Sequence, residues 1–220
     1  MGLIGDVPLV EFIYKRCRLS SEADFVAVIT SDDRTDDVLY DYCVERQINI
    51  FRGDLDNVLD RYIKAAEFYH SDVICRVCGD SPFVDVGLID RMFQIIGDEK
   101  CDYVAPDQEH CIAGLDSEVF TIDALRRVVV KATSKDDLEH VTHYIRNHAG
   151  DFNLKIITAE LRHESLRDAV LTVDYPEDLL LGNSILGVLG NGHSFSSDDI
   201  FRVLCGNMHL LGINRNRGAN

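Results

Sequence analysis

The chain has 220 residues, with 22 Lys and Arg against 38 Asp and Glu, and so a formal charge of −16. A chain of this length can bury roughly 70% of the surface its unfolded form exposes, and its 46% hydrophobic and 27% charged residues, with only 4 Pro and 15 Gly, exclude a disordered or collagen-like chain. The acidic balance excludes nucleic acid and anionic membrane as expected partners, because the longest basic cluster, Lys15-Arg16-Cys17-Arg18, is too short to line a groove.

Strand-length apolar runs alternate with stretches of helical period. The Lys15-Arg16 pair falls on a helix whose apolar residues Leu9, Phe12 and Ile13 occupy the opposite face. Phe25 to Ile29 is a β-rich run closed by Thr30-Ser31-Asp32-Asp33, and Val38, Leu39, Tyr42 and Cys43 then recur as a helix face. Asn49 to Phe51 predicts a second strand, Gly53-Asp54 a turn, and Val58 to Ala66 a helix ending near His70. Asp72 to Val77 is a third strand, with Gly79-Asp80-Ser81-Pro82 at its end and a helix from Leu88 to Ile96 beyond. Three such units imply parallel strands joined by right-handed crossovers.

Further strands are expected at Asp102 to Val104, Ser117 to Thr121, Asn153 to Thr158 and Ala169 to Val173. Helices are expected at Ala124 to Ala132, at Asp136 to Asn147, and over the C-terminal part around Leu179 to Ile185 and Ile200 to Leu204. No internal repeat or Pro/Ser linker divides the chain, so 1–220 reads as a single α/β domain. No apolar window approaches the roughly 18 residues of a membrane span. Seven Cys without a repeated spacing, and no basic-then-apolar leader before them, predict reduced thiols and a cytoplasmic protein. Cys75 and Cys78 would point to opposite faces of a strand and are expected to be core or half-buried thiols. His140 and His143 stand at i and i+3 on the expected helix, but lack a third metal ligand.

Ligands of an open parallel sheet sit beyond the carboxyl ends of its strands. Three such ends are acidic here: Ser31-Asp32-Asp33, Gly79-Asp80-Ser81-Pro82 and Thr172-Val173-Asp174-Tyr175-Pro176-Glu177-Asp178. The ordinary role of an Asp at a strand end is to cap a helix or close a turn, and Asp174 and Ser31 are both placed to do so. Two carboxylates gathered in one cleft would instead call for a hard divalent cation, for which Mg²⁺ with a nucleoside triphosphate is the natural match.

These segments occur in a telling order with others: Pro8 to Ile13, Phe51-Arg52-Gly53-Asp54, Val58-Leu59-Asp60-Arg61-Tyr62, Cys75-Arg76-Val77-Cys78, Gly114-Leu115-Asp116-Ser117-Glu118-Val119-Phe120 and Glu139-His140-Val141-Thr142-His143-Tyr144. From about residue 5 to 205 the string resembles the spore-coat polysaccharide type of cytidylyltransferase, a relative of the CMP-sialic-acid and CMP-Kdo synthetases. The resemblance implies a Rossmann-like nucleotide-diphosphosugar transferase fold (GT-A-like, three layers, a mainly parallel sheet). It implies transfer of CMP from CTP to an acidic or 2-keto sugar with release of pyrophosphate, in surface polysaccharide or glycoconjugate synthesis. It further implies Mg²⁺ held by Asp80 and Asp174, and a nucleotide or sugar pocket formed by Asp32, Arg52, Asp60, Arg61, Arg76, Asp116, Glu118 and His140. A homodimer is compatible with it.

The family's first strand and its Arg/Ser/Lys phosphate loop have no match here, because the likeness begins just beyond them and no later Gly/Ser-rich loop carries a Lys or Arg. The single domain is therefore expected to be N-terminally truncated relative to the family, to leave the edges of neighbouring strands exposed, and to show little or no cytidylyl transfer as a 220-residue chain. A non-catalytic binding or assembly remnant and a GT-A-like glycosyltransferase are the alternative readings.

Overall fold

A computed structural model describes residues 2–158, 166, 169–190, 192–215 and 218. A short hairpin, β1 (Leu3–Ile4) and β2 (Val7–Pro8), turns at Gly5, whose φ of 57° is in the left-handed region that glycine tolerates. Helix α1 (Leu9–Cys17) follows directly, with Pro8 fixing the entry. The next elements are β3 (Val28–Ser31), α2 (Asp37–Glu45), β4 (Ile50–Gly53), α3 (Val58–Phe68), β5 (Val73–Arg76) and α4 (Val86–Glu99). Beyond them come β6 (Tyr103–Pro106), β7 (Glu118–Thr121), α5 (Ile122–Val129), α6 (Lys135–Glu139), α7 (His143–Asn147), β8 (Leu154–Ile157), α8 (Pro176–Leu189) and α9 (Ser197–Gly206).

Strands β3 and β4 pair in parallel, and the order β5-β7-β6-β8 forms a four-stranded sheet in which β6 and β8 are parallel and β7 is reversed. The strand period of two separates two cores on opposite faces of that sheet. Val104 and Val119 join Met92, Leu115, Ile185 and Leu204 beneath α4, α8 and α9. Tyr103 and Phe120 join Leu59, Leu125, Val128 and Ile145 beneath α3, α5 and α7.

Among the described residues no strand pairs with the outer edge of β3 or of β5. A cavity of about 720 Å³ lies there, lined from one side by Val28 and Ile29, from the other by Val73 and Cys75, and from the helices by Tyr14 and Tyr69.

Three expectations need correction. Arg16 is not on an outward face: it is 0% exposed, donates to the carbonyls of Val84 (2.7 Å), His193 (2.7 Å) and Phe195 (3.2 Å), and stacks on the Phe195 ring. Its apolar stem and flat guanidinium can be buried when carbonyls meet the N–H groups. The helix expected from Asp136 to Asn147 breaks at His140 to Thr142, where Val141 takes a φ of 27° and enters the core. His143 therefore begins α7, while His140 lies just past the end of α6. Finally, Ala169 to Val173 forms one bridge, Ala113 to Val170, rather than a strand, because its later amides bond to loops.

Candidate functional site at the strand ends

The turn after β5 and the chain entering α8 meet through their backbones. Val173 N donates to the carbonyl of Asp80 (2.8 Å) and Leu171 N to that of Ala113 (2.9 Å), so Asp80 and Asp174, distant in sequence, lie on neighbouring main-chain segments. Gly114 makes the approach feasible. Its φ is 94°, and a Cβ there would stand 2.7 Å from the Leu171 carbonyl carbon. Ser81 Oγ donates to Asp80 Oδ1 (2.8 Å) and Thr172 Oγ1 to Asp174 Oδ2 (3.1 Å).

Asp174 is not the cap of α8. Buried Asp178 does that work, its Oδ2 accepting the amides of Asp174 (3.1 Å) and Tyr175 (2.9 Å) while Oδ1 accepts Asn214 Nδ2 (2.7 Å). Two hard carboxylates on adjoining segments fit Mg²⁺, which commonly takes one or two protein carboxylates and completes its octahedron with phosphate oxygens and water. Among the described residues, no group of three or more His, Cys, Asp or Glu gathers as an all-protein metal site.

A second polar cluster stands at the same end of the sheet. The register places Arg76, last of β5, opposite Glu118, first of β7. Glu118 is buried and accepts from Arg76 Nη1 (3.3 Å), Tyr103 Oη (2.7 Å), Thr142 Oγ1 (2.9 Å) and Arg146 Nη1 (3.4 Å). Burial, and then the neighbouring Glu118 carboxylate, push the Tyr103 phenol far above its ordinary value, so it stays a donor. Desolvation raises the Cys78 thiol, with Arg76 opposing and with Asp80, Asp116 and Glu118 reinforcing. Desolvation also pushes the Tyr62 phenol up to about 12, against Arg76 and Arg61.

The remaining expected residues divide. Arg61 lies over Gly53 and donates to the carbonyl of Asp54 (3.2 Å), and Asp116 Oδ1 closes its own turn on Gly114 N (3.2 Å). Arg52 is committed to structure: it binds the carbonyls of Ser31 (2.8 Å) and Asp33 (2.7 Å) and the Asp37 carboxylate (2.8 Å), which holds the loop bearing exposed Asp32. Asp60 pairs with Lys64 (2.7 Å) on α3, a short-range helix pair of small energetic weight. His140 is exposed and ends α6. Lys15 is paired with Glu11 (2.6 Å). Reading the sequence missed Tyr103, Thr142 and Arg146. Thr142 sits at the break just before α7 and Arg146 one turn into it, where the amide of Arg146 donates to the Thr142 carbonyl (3.1 Å).

Comparison with known proteins bears on the family and the fold. The profile of the cytidylyltransferase family matches residues 1–179. The spore coat polysaccharide biosynthesis protein SpsF of Bacillus subtilis is 31% identical over 210 residues, 91% of this chain and 85% of that protein. An uncharacterized protein of Methanocaldococcus jannaschii is 34% identical over 180 residues, 81% of this chain and 72% of its own length. The structure of a cytidylyltransferase from Leptospira borgpetersenii superposes with a TM-score of 0.87 at 24% identity, covering 95% of this chain and 87% of the other, and so shares the fold. With its profile match over most of the chain and this share of identity to SpsF, the chain belongs to the cytidylyltransferase family, whose members are CTP-dependent nucleotidyltransferases.

Proposed function

We propose that this protein transfers CMP from CTP to a hydroxyl of a sugar, in the synthesis of a surface polysaccharide or glycoconjugate, with Mg²⁺ held by Asp80 and Asp174. The observation that carries the reading is the backbone junction of Asp80 and Val173, which brings two carboxylates distant in sequence onto adjoining segments in a chain of this family. Similarity to SpsF supports the polysaccharide setting.

In the reaction, a sugar oxygen forms a bond to the α-phosphorus, the bond from that phosphorus to the bridging oxygen breaks, pyrophosphate leaves, and the hydroxyl proton passes to solvent. Bound Mg²⁺ would supply charge neutralisation on the phosphates. The chain's own part is to place the metal-binding carboxylates, hold the sugar near the Glu118 cluster, and orient the hydroxyl in line. The fixed hydrogen bonds of Ser81 and Thr172 orient the two carboxylates before substrate arrives.

Titration calorimetry with CTP, UTP, ATP and GTP in the presence of Mg²⁺, joined to a pyrophosphate-release assay on candidate sugars, tests the proposal. CTP is expected to bind most tightly, and Asp80→Asn to lower turnover by about 10²-fold or more while leaving the fold intact. A clear preference for ATP or GTP, or full turnover by Asp80→Asn, overturns it.

A further inference from the structure

We propose that residues 135–147 form a two-state strap beside Glu118, broken at His140 to Thr142 in this structure and wound as one helix in the other state. The hydrogen bond between Asp137 and His143 is the clasp that selects the broken form. The strap stands on its own geometry, and only its effect on the sugar rests on the cytidylyl-transfer reading above.

The broken form is costly where it breaks. Val141 is β-branched, 0% exposed and held at a φ of 27°, outside the regions such a residue ordinarily adopts. Val141 and Thr142 are both buried, and neither backbone amide meets an acceptor among the described residues. Buried amides without a partner are rare and destabilising. Winding the segment through as an α-helix removes all three defects. The φ returns to the right-handed region, the amide of Val141 reaches the carbonyl of Asp137, and that of Thr142 reaches the carbonyl of Leu138. Ser134 already caps such a helix, its Oγ accepting the amide of Asp137 (3.1 Å). Leu138, Val141 and Ile145 have the spacing of one apolar face along it.

Two contacts oppose that winding. Asp137 Oδ1 and His143 Nδ1 are 2.8 Å apart, although six residues of continuous α-helix would set them about 9 Å apart along the axis and about 120° apart around it. Of the two states, only the broken one can hold this bond. Thr142 Oγ1 donates to Glu118 Oε2 (2.9 Å), and Arg146, whose amide donates to the Thr142 carbonyl (3.1 Å), reaches Glu118 Oε1 (3.4 Å). Joining α6 and α7 on one axis re-aims one against the other, which withdraws Thr142 and Arg146 from Glu118 while Leu138 stays in the core. Asp137 and His143 are positioning residues in this arrangement, acting through Thr142 and Arg146.

Backbone NMR of the full chain tests the proposal, with Cα and Cβ shifts and amide exchange read at residues 140–142. The wild type is expected to show non-helical shifts there. His143→Ala removes the clasp and should move them to helical values, slowing exchange of the Val141 and Thr142 amides about tenfold. Adding Val141→Gly to His143→Ala should return the shifts to the broken form, because glycine accepts a positive φ and disfavours a helix. In the pyrophosphate-release assay, His143→Ala should raise the KM for the sugar several-fold and leave CTP affinity unchanged. Non-helical shifts in His143→Ala, or helical shifts that Val141→Gly leaves in place, overturn the proposal. If His143→Ala does not fold, relaxation dispersion on the wild type reads the same equilibrium: exchange confined to the strap, toward helical shifts, supports the proposal, and its absence overturns it. Failure of the wild-type chain to bind CTP would remove the cytidylyl reading alone, because the NMR measurements need no ligand.

Discussion

Asp36 holds the end of β3 through one carboxylate oxygen, which accepts from Thr30 Oγ1 (2.6 Å), Ser31 Oγ (2.6 Å) and Ser31 N (3.0 Å). The hydroxyls of Ser31 and Thr30 hold its carboxyl below the usual value, with partial desolvation opposing. A depressed folded-state pKa stabilises the protein above the unfolded value near 3.9, and that stabilisation is lost as pH falls through the folded value. Urea midpoints measured from neutral pH down through this range should therefore fall for the wild type, and fall less steeply for Asp36→Asn. Near pH 7, Asp36→Ala should cost about 1–2 kcal/mol, the worth of charge-assisted bonds discounted for partial exposure. Parallel wild-type and Asp36→Asn profiles would show that this carboxylate does not carry the acid sensitivity. The same strand end depends on Arg52, whose guanidinium bridges two carbonyls and Asp37. A residue that resemblance assigns to the ligand is thus spent on the loop that presents Asp32.

At the scale of elements, Gly114 decides whether the loop after the 108–110 turn can lie against the chain entering α8. A methyl group there meets Leu171 and Thr172 backbone atoms at 2.7 to 2.9 Å, and the left-handed φ adds strain of its own. Gly114→Ala should lower stability by about 2 kcal/mol or more in denaturant unfolding. It should also reduce Mg²⁺-dependent turnover more than CTP affinity, because the displaced segment carries Asp174. An unchanged melting curve would mean that the approach is looser than drawn.

The sequence announced most elements through their periods: each strand from β3 to β8 lies within two or three residues of its apolar run. It was silent where tertiary contacts outvote period. The helical pattern of 136–147 runs on unbroken, but burying Val141 and bonding Thr142 to Glu118 require a break. The antiparallel direction of β7 has no local signature, since alternation reads alike in both directions. Arg16 shows the limit for single residues, because amphipathic spacing marks an Arg as outward and cannot foresee three waiting carbonyls. The adjacency of the Asp80 and Asp174 segments has a trace in the sequence, since each Asp closes an apolar run and precedes a Pro by two positions. The Glu118 cluster was only half legible, because Tyr103 and Arg146 come from elements whose placement depends on the sheet order.

At the scale of the molecule, the described sheet is in two parts, and the cavity between β3 and β5 separates them. The pairing pattern says which backbone groups face it. Val28 N bonds to Asn49 O and Asp32 N to Gly53 O, so the even-numbered amides of β3 point toward β4 and Ile29 points the other way. On β5, the bond from Ile122 N to Asp72 O sets the antiparallel phase, which directs Ile74 and Arg76 to β7 and leaves Val73 and Cys75 facing the cavity. An apolar lining with free strand edges is the feature a sheet normally covers with another strand. Native-state hydrogen exchange gives the decisive reading. For the 220-residue chain, the amides of Ile29, Val73 and Cys75 should exchange at least about tenfold faster than those of their neighbours Thr30 and Ile74, because an amide without a ladder bond is protected only by exclusion of water. Equal protection on both edges would show that something already closes the gap in solution, a second copy of the chain being the first occupant to test by sedimentation.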